Sequence, residues 1–309
     1  MKWIAGVLLT ALACLTLPVL AAGTDANALT ICLNKDNAPF SFKSEGKEGG
    51  FDLTVAQALA RQLNKPLEIK WYEKERRKKG SVSVKASVMV TAGVCQLVGG
   101  YPLIQSSLDR GASGETTTLP PIDGIAPEDR KQSLSGNQLF ASQGYHFAGM
   151  TPVLGTNVTQ SQLTSLDELK PYRMGNRPAS MGDLIAMAYK QGLLAKNLIH
   201  VDIQFEPLDL LSKSEFDVTI VEMHRFDIYR NDHPQTTLRA SGLILPVGFN
   251  LGFVTTDAHA DLLKAVNGAL DVMAKNGELE KAARSAGLTY IPALFPAVSA
   301  GMGLEKIMQ

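Results

Sequence analysis

An excess of charge of one sign is missing from this chain: 30 basic side chains stand against 30 acidic ones. There is no basic footprint for nucleic acid, and none is expected as a partner. Charged residues make up only 19% of the sequence while apolar content is ordinary at 45%, which gives a globular protein rather than a disordered one. Catalytic motifs are missing too. No HExxH-type metal pair and no GxSxG nucleophile occurs, and His146, His200, His224, His233 and His259 are scattered. No metal site, cofactor or enzymatic activity is therefore expected. Cysteine is scarce, with three in all.

What is there begins with an export segment. Lys2 precedes an apolar run from Trp3 to Leu20, and Val19-Leu20-Ala21-Ala22-Gly23 offers small residues for cleavage. Residues 1–22 read as a signal peptide cut near Ala21 or Ala22, which places the protein in the periplasm. A retained anchor is the rival, disfavoured by Thr10, Thr16 and Pro18. Lipidation of Cys14 is set aside because Ala11 stands where a branched aliphatic is wanted. Cleavage removes Cys14 and leaves Cys32 and Cys95, an even number that points to a disulfide in an exported chain.

The first structural unit runs from Ile31 to Leu63. Ile31-Cys32-Leu33 forms a strand, Asn34 to Phe40 breaks it, and Gly49 to Leu53 leads into a helix with Val55, Ala56, Leu59 and Leu63 on one side. Asp52 is the expected N-cap, and Asn64 with Pro66 the stop. A strand through Leu67, Ile69 and Trp71 completes a βαβ unit, whose first turn, Asn34 to Phe42, is where open α/β sheets place ligands. Cys95 opens a third strand, adjacent to the first in a sheet of order 2-1-3, so the two sulfurs can meet.

The charge run from Glu73 to Lys79 reads as a solvated turn, with a docking patch for an acidic partner as the sharper alternative. Val82, Val84, Val88 and Val90 fit a helix or a strand. From Gln105 to Asn137 the chain is rich in Ser, Gly, Thr and Pro, and reads as a surface excursion that can reach over a cleft. The pattern then repeats. A short helix ends at Leu169, a strand covers Tyr172 to Gly175, and Ser180 caps a helix over Leu184, Ile185 and Met187. Strands follow at Ile199 to Phe205, Phe216 to Val221 and Phe249 to Val254, with helices over Leu262 to Met273 and up to Gly287. The tail from Thr289 to Gln309 either wraps a lobe or frays. Two βαβ halves imply two α/β lobes.

Taken in order, Ala38-Pro39-Phe40, Gly50-Phe51-Asp52-Leu53, Ala126-Pro127-Glu128-Asp129-Arg130, Ser165 to Lys170, Phe216-Asp217-Val218 and Leu263 to Leu270 resemble the periplasmic solute-binding proteins of family 3, the receptors of polar amino-acid ABC importers. The resemblance implies the type II periplasmic-binding fold, an α/β architecture in which each lobe is a mixed, mostly parallel sheet flanked by helices. One lobe would comprise 27–144 plus 248–309 and the other 145–247, with crossovers near Gly144 and Val247. It further implies a non-enzymatic monomer that closes on a small polar solute, an amino acid or similar, and serves an ABC permease.

Arg130 falls where the family's arginine grips a carboxylate in a bidentate pair. Ser180 and Met181 fall at the helix start that holds the same group. Glu222 stands where the family uses Asp against the ligand amine, with Arg225 or Arg239 as alternative partners. Asn37 takes the place of the stacking aromatic, and Phe40, Phe42, Gly99 and Gly100 complete the expected contacts. Cys32, Asn37, Pro39, Phe40, Trp71, Arg76, Arg77, Gly93 and Cys95 are also similar to the binding-protein-like accessories of periplasmic quinoprotein alcohol dehydrogenases. That resemblance implies docking to a periplasmic methanol or alcohol dehydrogenase instead of a permease.

Overall fold

A computed structural model describes residues 27–74, 82–109 and 114–308. The expected signal peptide, Arg76 and Arg77 lie outside them. The main strands are β1 Leu29–Asn34, β2 Leu67–Tyr72, β3 Leu97–Pro102, β4 His146–Leu154, β5 Met174–Asn176, β6 Leu198–His200, β7 Val218–Glu222 and β8 Leu245–Thr255. The main helices are α1 Phe51–Gln62, α2 Val82–Thr91, α3 Met181–Ala188, α4 Met223–Asp232, α5 Ala260–Lys275 and α6 Glu278–Ser285.

The strands follow one another in space as β6-β5-β7-β4-β8-β3-β1-β2. β1 pairs in parallel with both β2 and β3, Ile31 facing Ile69 on one side and Leu97 on the other. This is the expected 2-1-3 order, and it sets Cys32 and Cys95 5.7 Å apart at Cα in a disulfide. At the other end β5 pairs in parallel with β6 and β7. Between these halves lie the two long strands β4 and β8, antiparallel to each other. Each half has its own buried cores, one face of the first holding α1, α5 and α6 and the other α2. In the second half α3 and α4 cover opposite faces.

Helix α1 forms where the apolar spacing places it, burying Val55, Ala56 and Leu59 while Gln57, Arg61 and Gln62 face water. Its N-cap is Gly50, not Asp52. Gly50 has φ 107°, and a Cβ there would lie 2.4 Å from the Phe40 carbonyl oxygen, so only glycine lets the chain enter the helix at this angle. Asp52, one position into the first turn, is carried inward.

The valine-rich segment is a helix, α2, despite its β-branching. Its flank away from the sheet is covered by the excursion, from which Leu119 and Ile122 join Ala86, Val88 and Met89 in one core. Ser87 donates to the Asn137 carbonyl at 2.6 Å. Burial on both sides outweighs the modest helix penalty of valine. The excursion also caps the end of β2, with Asp123 N bonded to Trp71 O and Glu73 N to Pro121 O, each at 2.9 Å. Its described part therefore covers α2 and the sheet edge rather than the cleft.

The tail wraps. Asn250 on β8 bonds the carbonyls of Leu294 and Ala297 at 2.8 and 2.9 Å, and Gly248 N bonds Met302 O at 2.8 Å. Leu304 and Ile307 then pack into the core of the second half. The tail thus leaves the half that holds α5 and α6 and ends on the other, instead of staying with residues 27–144.

The disulfide closes a separation of 63 residues, worth about 4 kcal/mol in the chain-entropy account. Urea unfolding of the Cys32→Ala/Cys95→Ala double variant is expected to show that loss against the oxidised parent. An unchanged midpoint would remove the bridge from the list of what stabilises the first half.

Candidate binding cleft

The carboxyl ends of β1, β2 and β3 open on a cavity of about 330 Å³, lined by Asn34, Asn37, Phe40, Ser41, Tyr72, Lys74, Gly99, Gly100 and Pro102 from the first half. Ala148, Phe249 and Leu251 of the crossing strands form its back, and His224 of the second half closes it. Asn34 and Tyr72 sit side by side because they are register partners at the ends of adjacent parallel strands. Gly99 and Gly100 form the floor as bare backbone. A Cβ on Gly99 would be 2.8 Å from Leu33, and one on Gly100, where φ is +65°, would be 2.4 Å from the Asp52 carboxylate.

A second, smaller cavity of about 40 Å³ is lined by Met150, Asn176, Arg177, Ser180, Met181, Gly182, Pro207, Ile220, Val221, Glu222 and Arg225. Ser180 caps α3, its Oγ accepting from Asp183 N at 3.2 Å. Arg177 and Arg225 both reach the same Glu206 oxygen, at 3.2 and 3.0 Å. Across the boundary between the halves Phe40 meets His224 edge-on, ring centres 5.1 Å apart.

No protein-family model matches the chain, and no curated protein sequence matches it. Solved structures do. The unliganded, open L-cystine solute receptor of Neisseria gonorrhoeae superposes with a TM-score of 0.59 at 16% identity, over 86% of this chain and 95% of the receptor. The second substrate-binding domain of Lactococcus lactis GlnP, also open, gives a TM-score of 0.57 at 14% identity over 86% and 97%. An ancestral cyclohexadienyl dehydratase gives 0.57 at 20% identity over 84% and 92%. The fold is that of the two-lobed solute-binding proteins. The larger cavity is lined from both halves, with Ala148, Phe249 and Leu251 of β4 and β8 at its back, and the smaller by residues 150–225 alone.

Of the residues singled out from the sequence, Asn37, Phe40, Gly99 and Gly100 line the larger cavity, and Ser180, Met181 and Glu222 the smaller. Two line neither. The Phe42 ring lies over Gly49, where a Cβ would be 2.7 Å from its Cζ. Arg130 ends a 3-10 turn, Pro127–Arg130, within the excursion. Glu222 is not claimed by its alternative partners. Arg225 is held by Glu206, and Arg239 donates to the backbone carbonyls of Val158 and Gln160. His224, Lys74 and Tyr72 were not anticipated. Tyr72 was accessible to the rule that strand ends carry ligands, whereas His224 enters from the other lobe and no local pattern marks it.

Beneath the floor lies a buried titrating cluster. Asp52, 1% exposed, accepts the Tyr145 hydroxyl proton at 2.8 Å, and Tyr145 in turn accepts from Gly100 N at 2.8 Å. The other Asp52 oxygen has no partner, and burial raises this carboxyl to about 7. His146 is lowered to about 4 by burial and by His224 nearby. Its Nδ1 accepts from Ile291 N at 3.4 Å, as a neutral ring does. Burial likewise lowers His224 and raises Asp227.

These shifts oppose one another. Between about pH 4 and 7 the folded state holds a proton on Asp52 that the unfolded chain releases, so stability falls as pH rises, by up to about 1.4 kcal/mol per unit. Between about 4 and 6.5 the unfolded chain protonates His146 while the folded state does not, so stability rises with pH at a similar slope. The parent's stability is expected to be nearly flat from pH 4 to 6.5. In Asp52→Asn, urea midpoints over that range should climb with pH. A flat profile in the variant as well would remove Asp52 from this balance.

Proposed function

We propose that the protein is a periplasmic receptor that captures a small solute, an amino acid or a close analogue, between its lobes and presents it to an ABC importer as a non-catalytic monomer. The lobes are proposed as 27–144 with 248–309, and 145–247, the end of the tail reaching across so that Leu304 and Ile307 pack on the second lobe. The carrying observation is the larger cavity, which residues of both halves line beside crossing strands about which the lobes can swing, with a smaller one in the second half. Concave, largely apolar sites with a few convergent polar groups are what small ligands need. That proteins of this fold include a solute receptor and a substrate-binding domain supports the same assignment.

Export fits the disulfide and the N-terminal segment, and among the described residues no helix is long and apolar enough to cross a membrane. The dehydrogenase-docking alternative is not carried forward. Of the features that suggested it, the disulfide ties Cys32 of β1 to Cys95 just before β3, and Trp71 is buried in the first core, so they serve the fold.

A thermal-shift screen of the purified protein against the twenty amino acids and small organic acids tests the assignment. At 100 times its dissociation constant a bound solute adds about 2.7 kcal/mol of stability. The stabilisation by an amine-bearing solute is expected to vanish in Glu222→Ala. If no solute raises the melting temperature, the receptor assignment falls.

A further inference from the structure

One helix of the second lobe touches the first along a single stripe. His224, Asp227 and Asn231 stand three and four positions apart on α4 and so share a face, while Phe226 and Tyr229 on the opposite face enter the second lobe's core. Each member of the stripe meets a residue of the other lobe. His224 lies edge-on to Phe40. The Asp227 carboxylate accepts from Thr289 N at 2.7 Å and from the Thr289 hydroxyl at 2.8 Å, and Asn231 Nδ2 donates to the Gly287 carbonyl at 3.1 Å. The turn from Gly287 to Thr289 follows α6, with Leu288 in the first lobe's core and Ile291, just beyond, in the second's. A Cβ on Gly287 would lie 2.4 Å from Asn231 Nδ2, so helix and turn are in close contact.

Asp227 is 1% exposed, and a carboxylate that far from water is stable only while its donors stay. Among the described residues two of its donors are the amide and hydroxyl of Thr289, and the other is Arg230, one turn along α4 at 2.9 Å. Parting α4 from the turn would leave a buried charge short of partners, so helix and turn move as one. The same helix starts at its cap, Glu222, and carries His224 in its first turn, and these line the smaller and the larger cavity. Asp227 lines neither. We propose that Asp227 is a positioning residue, the pin that fixes α4 against the first lobe and so sets how far the cleft-lining residues of the second lobe stand from Phe40. It acts through α4, without touching anything bound in the cleft. The assignment rests on the two proposed lobes and not on which solute the cleft takes.

Electron-spin distance measurement between nitroxide labels at Arg61→Cys and Lys213→Cys, one exposed position on each lobe, tests this in the exported protein without any solute. The parent is expected to give one narrow distance distribution. Asp227→Ala should add a second population, the ratio of the two arrangements shifting on the order of tenfold with the loss of charge-assisted hydrogen bonds. Thr289→Val, which keeps the shape and removes one donor, should shift the distances in the same direction and by less. Phe226→Leu serves as the comparison, because it trims the opposite face of α4 and should lower the urea midpoint while leaving the distances as in the parent. Unchanged distances in Asp227→Ala, or in Thr289→Val where the first variant does not fold, overturn the assignment. So does equal broadening in Phe226→Leu, since the effect would then be a general loosening. Either result leaves the receptor assignment to the solute screen.

Discussion

Everything in this molecule hangs on the antiparallel crossing of β4 and β8. Their register runs from His146 opposite Leu251 to Gly149 opposite Gly248, then shifts at Met150. The approach is so close that a Cβ on Gly248, at φ +146°, would lie 2.1 Å from the Ala148 carbonyl oxygen. Only a glycine can occupy such a point. On one side the pair continues into β3, β1 and β2, on the other into β7, β5 and β6. Each half buries its own apolar residues, and the crossing joins the two. The tail reinforces it, with Phe147 N bonded to Ile291 O at 2.9 Å and Asn250 bonded to Leu294 and Ala297.

The electrostatics of the cleft follow from what lies directly below it. Asp52 under the floor is raised to about 7 because a buried carboxylate with one partnered and one orphaned oxygen resists ionisation, so below that pH it is mostly protonated. His146 and His224 stay neutral for the same reason, water being excluded from the ring stack they form with Phe40 and Phe51. The first half therefore presents neutral polar groups, Asn34, Asn37, Ser41 and Tyr72, around Phe40, while charged side chains stand at Lys74 in the larger cavity and at Glu222, Arg177 and Arg225 in the smaller.

Much of the fold was legible because local periodicity and capping are properties of neighbouring residues. Val55, Ala56 and Leu59 at helical spacing, Ser180 as the cap of α3, and Leu262 to Met273 as an amphipathic helix all stand where the pattern put them. Where the structure departs from the local pattern, a distant contact overrules the local one. Asp52 is a good capping residue that was drawn inward by Tyr145, 93 positions away. Valines that favour strands became α2 because the sheet and the excursion cover it.

The order of elements, the 2-1-3 sheet with its cysteine pair, and the first turn as a place for ligand contacts were determined by the sequence alone, since each rests on residue types at fixed short spacing or on the connection rules of parallel sheets. The membership of the cleft was decided only in three dimensions. His224 and Lys74 converge on one cavity from segments 150 positions apart, and Arg130 is carried away from it by an excursion whose path no local pattern specifies. The reason is physical: which side chains share a cavity depends on how two separately packed lobes meet, and that meeting is set by the crossing strands rather than by anything adjacent in the chain.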